Sequence, residues 1–136
     1  MVRPLLVVDA ANVMGARPDG WWRDRAAAAH RLLTALSRRV SDDECEIVVV
    51  LEGAARQGAD PGAVGGLQVV HAPASGDDAI VDVVADATGS NVARGVTVVT
   101  ADRGLRERVT ALGASTMGPR TLWDQLDRAA DHLEGG

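Results

Sequence analysis

Apolar residues in this chain gather in two kinds of run. The first kind is short and unbroken: Leu5-Leu6-Val7-Val8, Ile47-Val48-Val49-Val50-Leu51, Leu67-Gln68-Val69-Val70 and Val96-Thr97-Val98-Val99-Thr100, with a weaker fifth at Ala114-Ser115-Thr116-Met117. Such runs, mostly β-branched and without polar alternation, are the pattern of strands buried on both faces, as in a parallel sheet. The second kind repeats at helical spacing. Between Asp24 and Arg39, Ala28, Leu32, Leu33 and Leu36 share one face, with arginines elsewhere around the wheel. Asp77 to Ala87 carries Ile80, Val83, Val84 and Ala87 on one stripe, and Leu105 to Leu112 and Leu122 to Leu133 complete the set. The order β-α-β-β-α-β-α-β-α predicts an α/β fold, a three-layer α/β/α sandwich around a central, mainly parallel sheet. Gly53 to Gly66, rich in Gly and Ala, reads as a mobile loop with room for a short helical turn. No repeat or linker divides residues 1–136, so one domain is expected.

Composition narrows this picture. The 136 residues are 46% hydrophobic, with three Trp and neither Tyr nor Phe, so the core must be built from Val, Leu, Ile and Ala. A net charge of -5 argues against a protein that coats nucleic acid through bulk positive charge, but leaves local contacts open. All fourteen positive residues are Arg, which suits phosphate recognition. The one cysteine, Cys45, cannot make an internal disulfide, which fits a reducing cytoplasm. The apolar run that ends at Asp9 is too short for a signal peptide or a membrane span.

Candidate chemistry emerges when carboxylates are placed on this outline. Asp9 follows the first strand, Glu52 the second and Asp102 the fourth, while Asp77 and Asp78 open the helix after the third. In a parallel sheet those strand ends share one edge, where α/β proteins bind ligands. Taken singly, each acid reads as a turn former or an N-cap, Asp77 after Ser75-Gly76 above all. Taken together they crowd like charges, which destabilises a fold unless a cation neutralises them. An oxygen-only donor set points to Mg²⁺ or Mn²⁺. Zinc is disfavoured because Cys45, His30, His71 and His132 are scattered singly, and the three histidines read as structural or surface residues.

Three stretches carry a family resemblance. Val7-Val8-Asp9-Ala10-Ala11-Asn12-Val13-Met14-Gly15 resembles the opening motif of NYN domains, a branch of the PIN-like ribonuclease superfamily. Gly76-Asp77-Asp78-Ala79-Ile80 resembles the second acidic motif, and Val98-Val99-Thr100-Ala101-Asp102-Arg103-Gly104-Leu105-Arg106 the third, a strand ending in Ser/Thr-x-Asp before a helix. Met117-Gly118-Pro119 before the last helix is similar to the YacP-like bacterial branch. The likeness spans nearly the whole chain in the right order. It implies that Asp9, Asp78 and Asp102 are metal-binding and catalytic acids, with Asp77 a further metal-binding acid and Asn12 the catalytic polar partner of Asp9. Glu52 stands where relatives often carry Asp. Arg103 and Arg106 are candidates to face substrate phosphate, a solvated helix-start arginine being the plainer reading of Arg103.

The expected activity is metal-dependent hydrolysis of RNA by an endoribonuclease. A cation held by carboxylates lowers the pKa of a bound water and neutralises charge on the attacked phosphate. Asn12 would orient that water, and products would carry 5′-phosphate and 3′-hydroxyl ends. The resemblance implies RNA that is single-stranded or in loops, with association with the ribosome and the oligomeric state left open. Arg17, Arg23 and Arg25 are candidates for a basic rim, with Trp21 and Trp22 available to stack on bases; packing of the Trp pair as a staple for the first helix is the alternative. The main rival is a catalytically weak RNA- or metal-binding module of the same fold. A toxin-type PIN nuclease would carry Ser or Thr soon after its first Asp, where Asn12 stands. A phosphatase of the Asp-x-Asp type would need an acid at Ala11, and Gly62-Ala63-Val64-Gly65-Gly66 lacks the Lys and the following helix of a P-loop.

Overall fold

The computed structural model describes residues 3–40, 45–90 and 94–135. The chain runs β1 (Leu5–Asp9), α1 (Ala10–Gly15), α2 (Arg25–Val40), β2 (Glu46–Leu51), β3 (Gly62–Val64), β4 (Leu67–His71), α3 (Gly76–Ser90), β5 (Val96–Val99), α4 (Arg103–Ala111), β6 (Ser115–Met117) and α5 (Pro119–Gly135). Two 3-10 turns, Trp21–Arg23 and Gly53–Gly58, precede α2 and β3. The strands form one sheet in the order β3-β4-β2-β1-β5-β6. Every pairing is parallel except that of β3 with β4.

All five residues of β1 are buried, because successive side chains of this central strand feed two different cores. Leu6 and Val8 pack with Leu32 and Leu36 of α2 and Leu122 and Leu126 of α5. Leu5 and Val7 pack on the other face with Ile80 and Val84 of α3 and Leu105 and Val109 of α4. The three-layer α/β/α sandwich is therefore present, and the unbroken apolar strands exist because helices cover both faces. Each fully buried aliphatic side chain contributes about 1.5–3 kcal/mol, enough for a core without Phe or Tyr.

Two segments depart from the sequence reading. The short helix α1, directly after β1, has too few turns to show a periodic stripe. Gly53 to Gly66 is not one loop. Its 3-10 turn lies against α2 so closely that a Cβ on Gly58 would stand 2.5 Å from the Ala26 carbonyl oxygen. The chain then forms β3 and reverses into β4 through Gly65 and Gly66, with φ of 56° and 83°, a two-residue turn that needs left-handed backbone at both positions. Elsewhere, Trp123 Nε1 donates to the Val13 carbonyl at 2.7 Å, and the Arg17 guanidinium stacks 4.1 Å from that indole while bonding both oxygens of Asp127 at 2.7 and 2.6 Å. Among the described residues no helix is long and apolar enough to cross a membrane.

Candidate functional site

The parallel strands β1, β2, β4 and β5 end at one edge, and the chain turns there into a helix or helical turn each time. Asp9, the last residue of β1, is 2% exposed. Its Oδ2 accepts hydrogen bonds at 2.8 Å from both Asn12 Nδ2 and Thr100 Oγ1, and its Oδ1 accepts the Asn12 amide at 3.5 Å, capping α1. Asn12 Oδ1 in turn accepts the Ala101 amide at 3.2 Å. Thr100, with no exposed surface, also accepts the Asp102 amide at 3.1 Å. Asn12 and Thr100 thus stitch the end of β1 to the segment after β5. The amide of Asn12 has both its ends engaged by the protein, so it acts on the Asp9 carboxylate and the Ala101 backbone.

Asp102 Oδ1 accepts the Leu105 amide at 2.9 Å and caps α4. Glu52 Oε2 accepts the Gly76 amide at 3.1 Å, tying the end of β2 to the start of α3. Because α3 begins at Gly76, Asp77 lies inside its first turn rather than in the capping position. Asp77 precedes the buried Ile80 and Val84 by three and seven residues, which turns it toward the sheet edge. Asp78, one residue on, points elsewhere: its side chain is 81% exposed and meets Arg108 at 2.9 Å.

Charge links these acids. Burial pushes the Asp9 carboxyl above the ordinary carboxylate range, hydrogen bonds from Thr100 and Asn12 pull against that, and the charges of Asp77 and Glu52 add to the rise. Asp77 is raised by its own partial burial and by Asp102, Glu52 and Asp78, with Arg108 opposing. Asp9, Asp77, Asp102 and Glu52 therefore form one electrostatic set, with Asp78 at its margin. Among the described residues no three His, Cys, Asp or Glu side chains close tightly enough to enclose a metal ion by themselves. The set offers oxygen donors only, the kind of donor that hard divalent cations take.

The sequence-predicted cations and aromatics divide. Arg106 spends its Nε on the Thr100 carbonyl at 3.0 Å, bracing the network from behind. Arg103 is exposed, with no ion pair to a described residue. The Trp pair splits too: Trp21 packs partly buried against the core, whereas Trp22 is 53% exposed. His30 is exposed, His71 Nε2 lies 2.7 Å from the Ala59 carbonyl, and the side chain of His132 is outside the described residues. Two cavities flank the acid edge, with Ala11 lining both. One of about 460 Å³ is bordered by Met14, Trp21, Arg25 and Glu52; one of about 620 Å³ is bordered by Asn12, Ala101, Gly118 and Arg120. Thr100 had no role assigned from sequence, although a lone hydroxyl closing an apolar strand two residues before an acid was the available signal.

Residues 6–135 match the sequence model of the YacP-like NYN domain. In three dimensions the chain is similar to the crystal structure of Rae1 (YacP) from Bacillus subtilis, with a TM-score of 0.77 at 18% identity over 96% of this chain and 77% of that one. A point mutant of the same protein gives a TM-score of 0.77 at 20% identity over 96% and 78%. No curated protein matches by sequence. The architecture shared across these matches is a nuclease-type, RNA-related fold.

Proposed function

Because this chain belongs to the YacP-like NYN domain family, we propose that it is a metal-dependent endoribonuclease working at the acidic sheet edge. The observation that carries the reading is the buried Asp9 carboxylate, held by Asn12 and Thr100 yet within reach of the like charges of Asp77 and Glu52. A fold that accepts such repulsion gains when a cation arrives. Asp9, Asp77 and Asp102 would hold Mg²⁺ or Mn²⁺, and Asp78 joins them only by leaving Arg108. A bound cation would supply a water of lowered pKa and neutralise charge on the attacked phosphate. The chain's own residues do the positioning. Asn12 and Thr100 fix the orientation of Asp9, and Arg106 fixes Thr100. Arg103 and Arg120, both exposed, would meet substrate phosphates near the acids. RNA in single-stranded or loop form is the proposed substrate, since a flexible strand can bend a phosphate into the cleft between the two cavities, and the cytoplasm is the proposed compartment.

The lack of a ready-made three-ligand group among the described residues favours a second reading, an RNA-binding module without turnover. One assay separates the two. Purified protein is incubated with labelled structured and unstructured RNAs in Mn²⁺, in Mg²⁺ and in EDTA, beside Asp9→Asn and Asp102→Asn. Cleavage that needs the metal and both acids is expected. Cleavage that persists in EDTA, or in Asp9→Asn, overturns the nuclease reading.

A further inference from the structure

The cavity of about 460 Å³ beside the acid edge has walls that cation binding does not require. The Trp21 indole and the Met14 thioether form apolar sides, and two opposite charges, Arg25 and Glu52, face the same space. Neither makes an ion pair with a described residue. The Arg25 guanidinium lies over the Trp21 ring, 5.5 Å from its centroid, and none of its N–H donors meets an acceptor among the described residues. Glu52 accepts one hydrogen bond, from the Gly76 amide, out of the roughly four that a carboxylate can take.

An aromatic wall, a donor fork and an acceptor carboxylate together complement guanine. The base stacks on the indole, its adjacent N1–H and N2–H donors meet the carboxylate, and its O6 acceptor meets the guanidinium. Adenine offers an acceptor at N1 where the carboxylate needs a donor. Uracil sets one N–H between two carbonyls, and cytosine has a single donor group. Glu52 also joins the cavity to the acids, since the amide it holds belongs to the residue before Asp77.

We propose that this cavity is a subsite for an unpaired guanine next to the cleaved phosphate, so that RNA is cut beside guanines in single-stranded stretches. The cleavage half rests on the nuclease reading above; the guanine half stands on the cavity. The test takes the full chain in EDTA and follows backbone amides and the three indole N–H signals by NMR. The ligands are guanosine, adenosine, cytidine and uridine, nucleosides that carry no phosphate for the acids to repel. Guanosine is expected to bind about tenfold tighter than the others, the scale of one good bidentate base contact. It should shift Trp21 and leave Trp123 in place, and the preference should vanish in Glu52→Gln and in Arg25→Gln. Equal affinities for the four nucleosides, or guanosine shifts confined to residues away from Trp21, overturn the proposal. In a second arm an unpaired RNA containing every dinucleotide is digested in Mn²⁺. Cuts beside guanine that disperse in Arg25→Gln support it, and base-independent cuts overturn it. Guanosine selectivity at Trp21 without any cleavage would remove the nuclease reading and leave the subsite standing, whereas cleavage without selectivity would do the reverse.

Discussion

Replacing Thr100 with Val changes no volume but removes the hydroxyl that joins Asp9 to Asp102. Thr100 is fully buried, donates to Asp9 Oδ2 at 2.8 Å and accepts the Asp102 amide at 3.1 Å. A hydrogen bond to a charged group contributes about 1.5–3 kcal/mol, and the orphaned amide adds part of its desolvation cost. Thr100→Val should therefore lose about 2–3 kcal/mol at neutral pH, a fall of about 7–10 °C in Tm for a chain of this size. The loss should depend on pH in a definite direction. Burial raises the Asp9 pKa and the Thr100 hydrogen bond opposes the rise, so removing that bond lifts the pKa of the variant further. The wild type's advantage is then full where Asp9 is ionised in both proteins, and it shrinks as pH falls through the raised pKa of the variant. Urea unfolding in EDTA from pH 7.5 to 4.5 measures this, with Thr100→Ser as the control that keeps the hydroxyl and loses only a methyl, at about 1 kcal/mol. A Val deficit no larger than the Ser deficit, or one that does not change with pH, would refute the assignment of Thr100 as the residue that holds Asp9.

Asp77→Asn and Asp78→Asn should separate the two neighbouring acids. Asp77→Asn is expected to leave the metal-free protein as stable as wild type or more so while sharply reducing the Tm gain in millimolar Mn²⁺, because it removes a charge that raises Asp9; Asp78→Asn, which breaks the exposed pair with Arg108, should leave that gain nearly intact, and the reverse pattern in thermal melts would make Asp78 rather than Asp77 the metal ligand. Gly58→Ala should destabilise by about 1–3 kcal/mol, since its Cβ would stand 2.5 Å from a backbone oxygen of α2 that cannot swing aside. An unchanged denaturation midpoint would show that the turn and α2 part easily.

The sheet was legible in the sequence because its strands are covered on both sides. Unbroken runs such as Leu5 to Val8 have one economical reading, and the helices that do the covering carry equally plain stripes. What escaped is short. The helix α1 has six residues, fewer than two turns, and its cap is the residue that also ends β1. The hairpin into β4 did leave a mark, the Gly65-Gly66 pair between Val64 and Leu67, which is the composition that two-residue turns with left-handed backbone demand. At the site, Asp9, Asn12 and Asp102 follow from strand ends and an i, i+3 spacing. Where Asp77 and Asp78 point depends on the phase of α3: neighbours on a helix point about 100° apart, and only Asp77 shares the phase of Ile80 and Val84. The engagement of Arg106 with the Thr100 carbonyl could not be read at all, since it depends on how α4 leans on the end of β5.

Asp102 holds the start of a helix with one carboxylate oxygen while its charge adds to the acid set. Asparagine caps a helix about as well as aspartate does. A single Asp102→Asn step can therefore strip charge from the acidic edge while the local architecture survives, and it also lessens the repulsion at Asp77. Under the proposed function, a descendant of this chain would lose catalysis in one mutational move, with no unstable ancestor on the way, and still keep both cavities and the exposed Arg103 and Arg120. Inactive RNA clamps are evolutionarily near neighbours of any nuclease whose reactive acids double as structural stops.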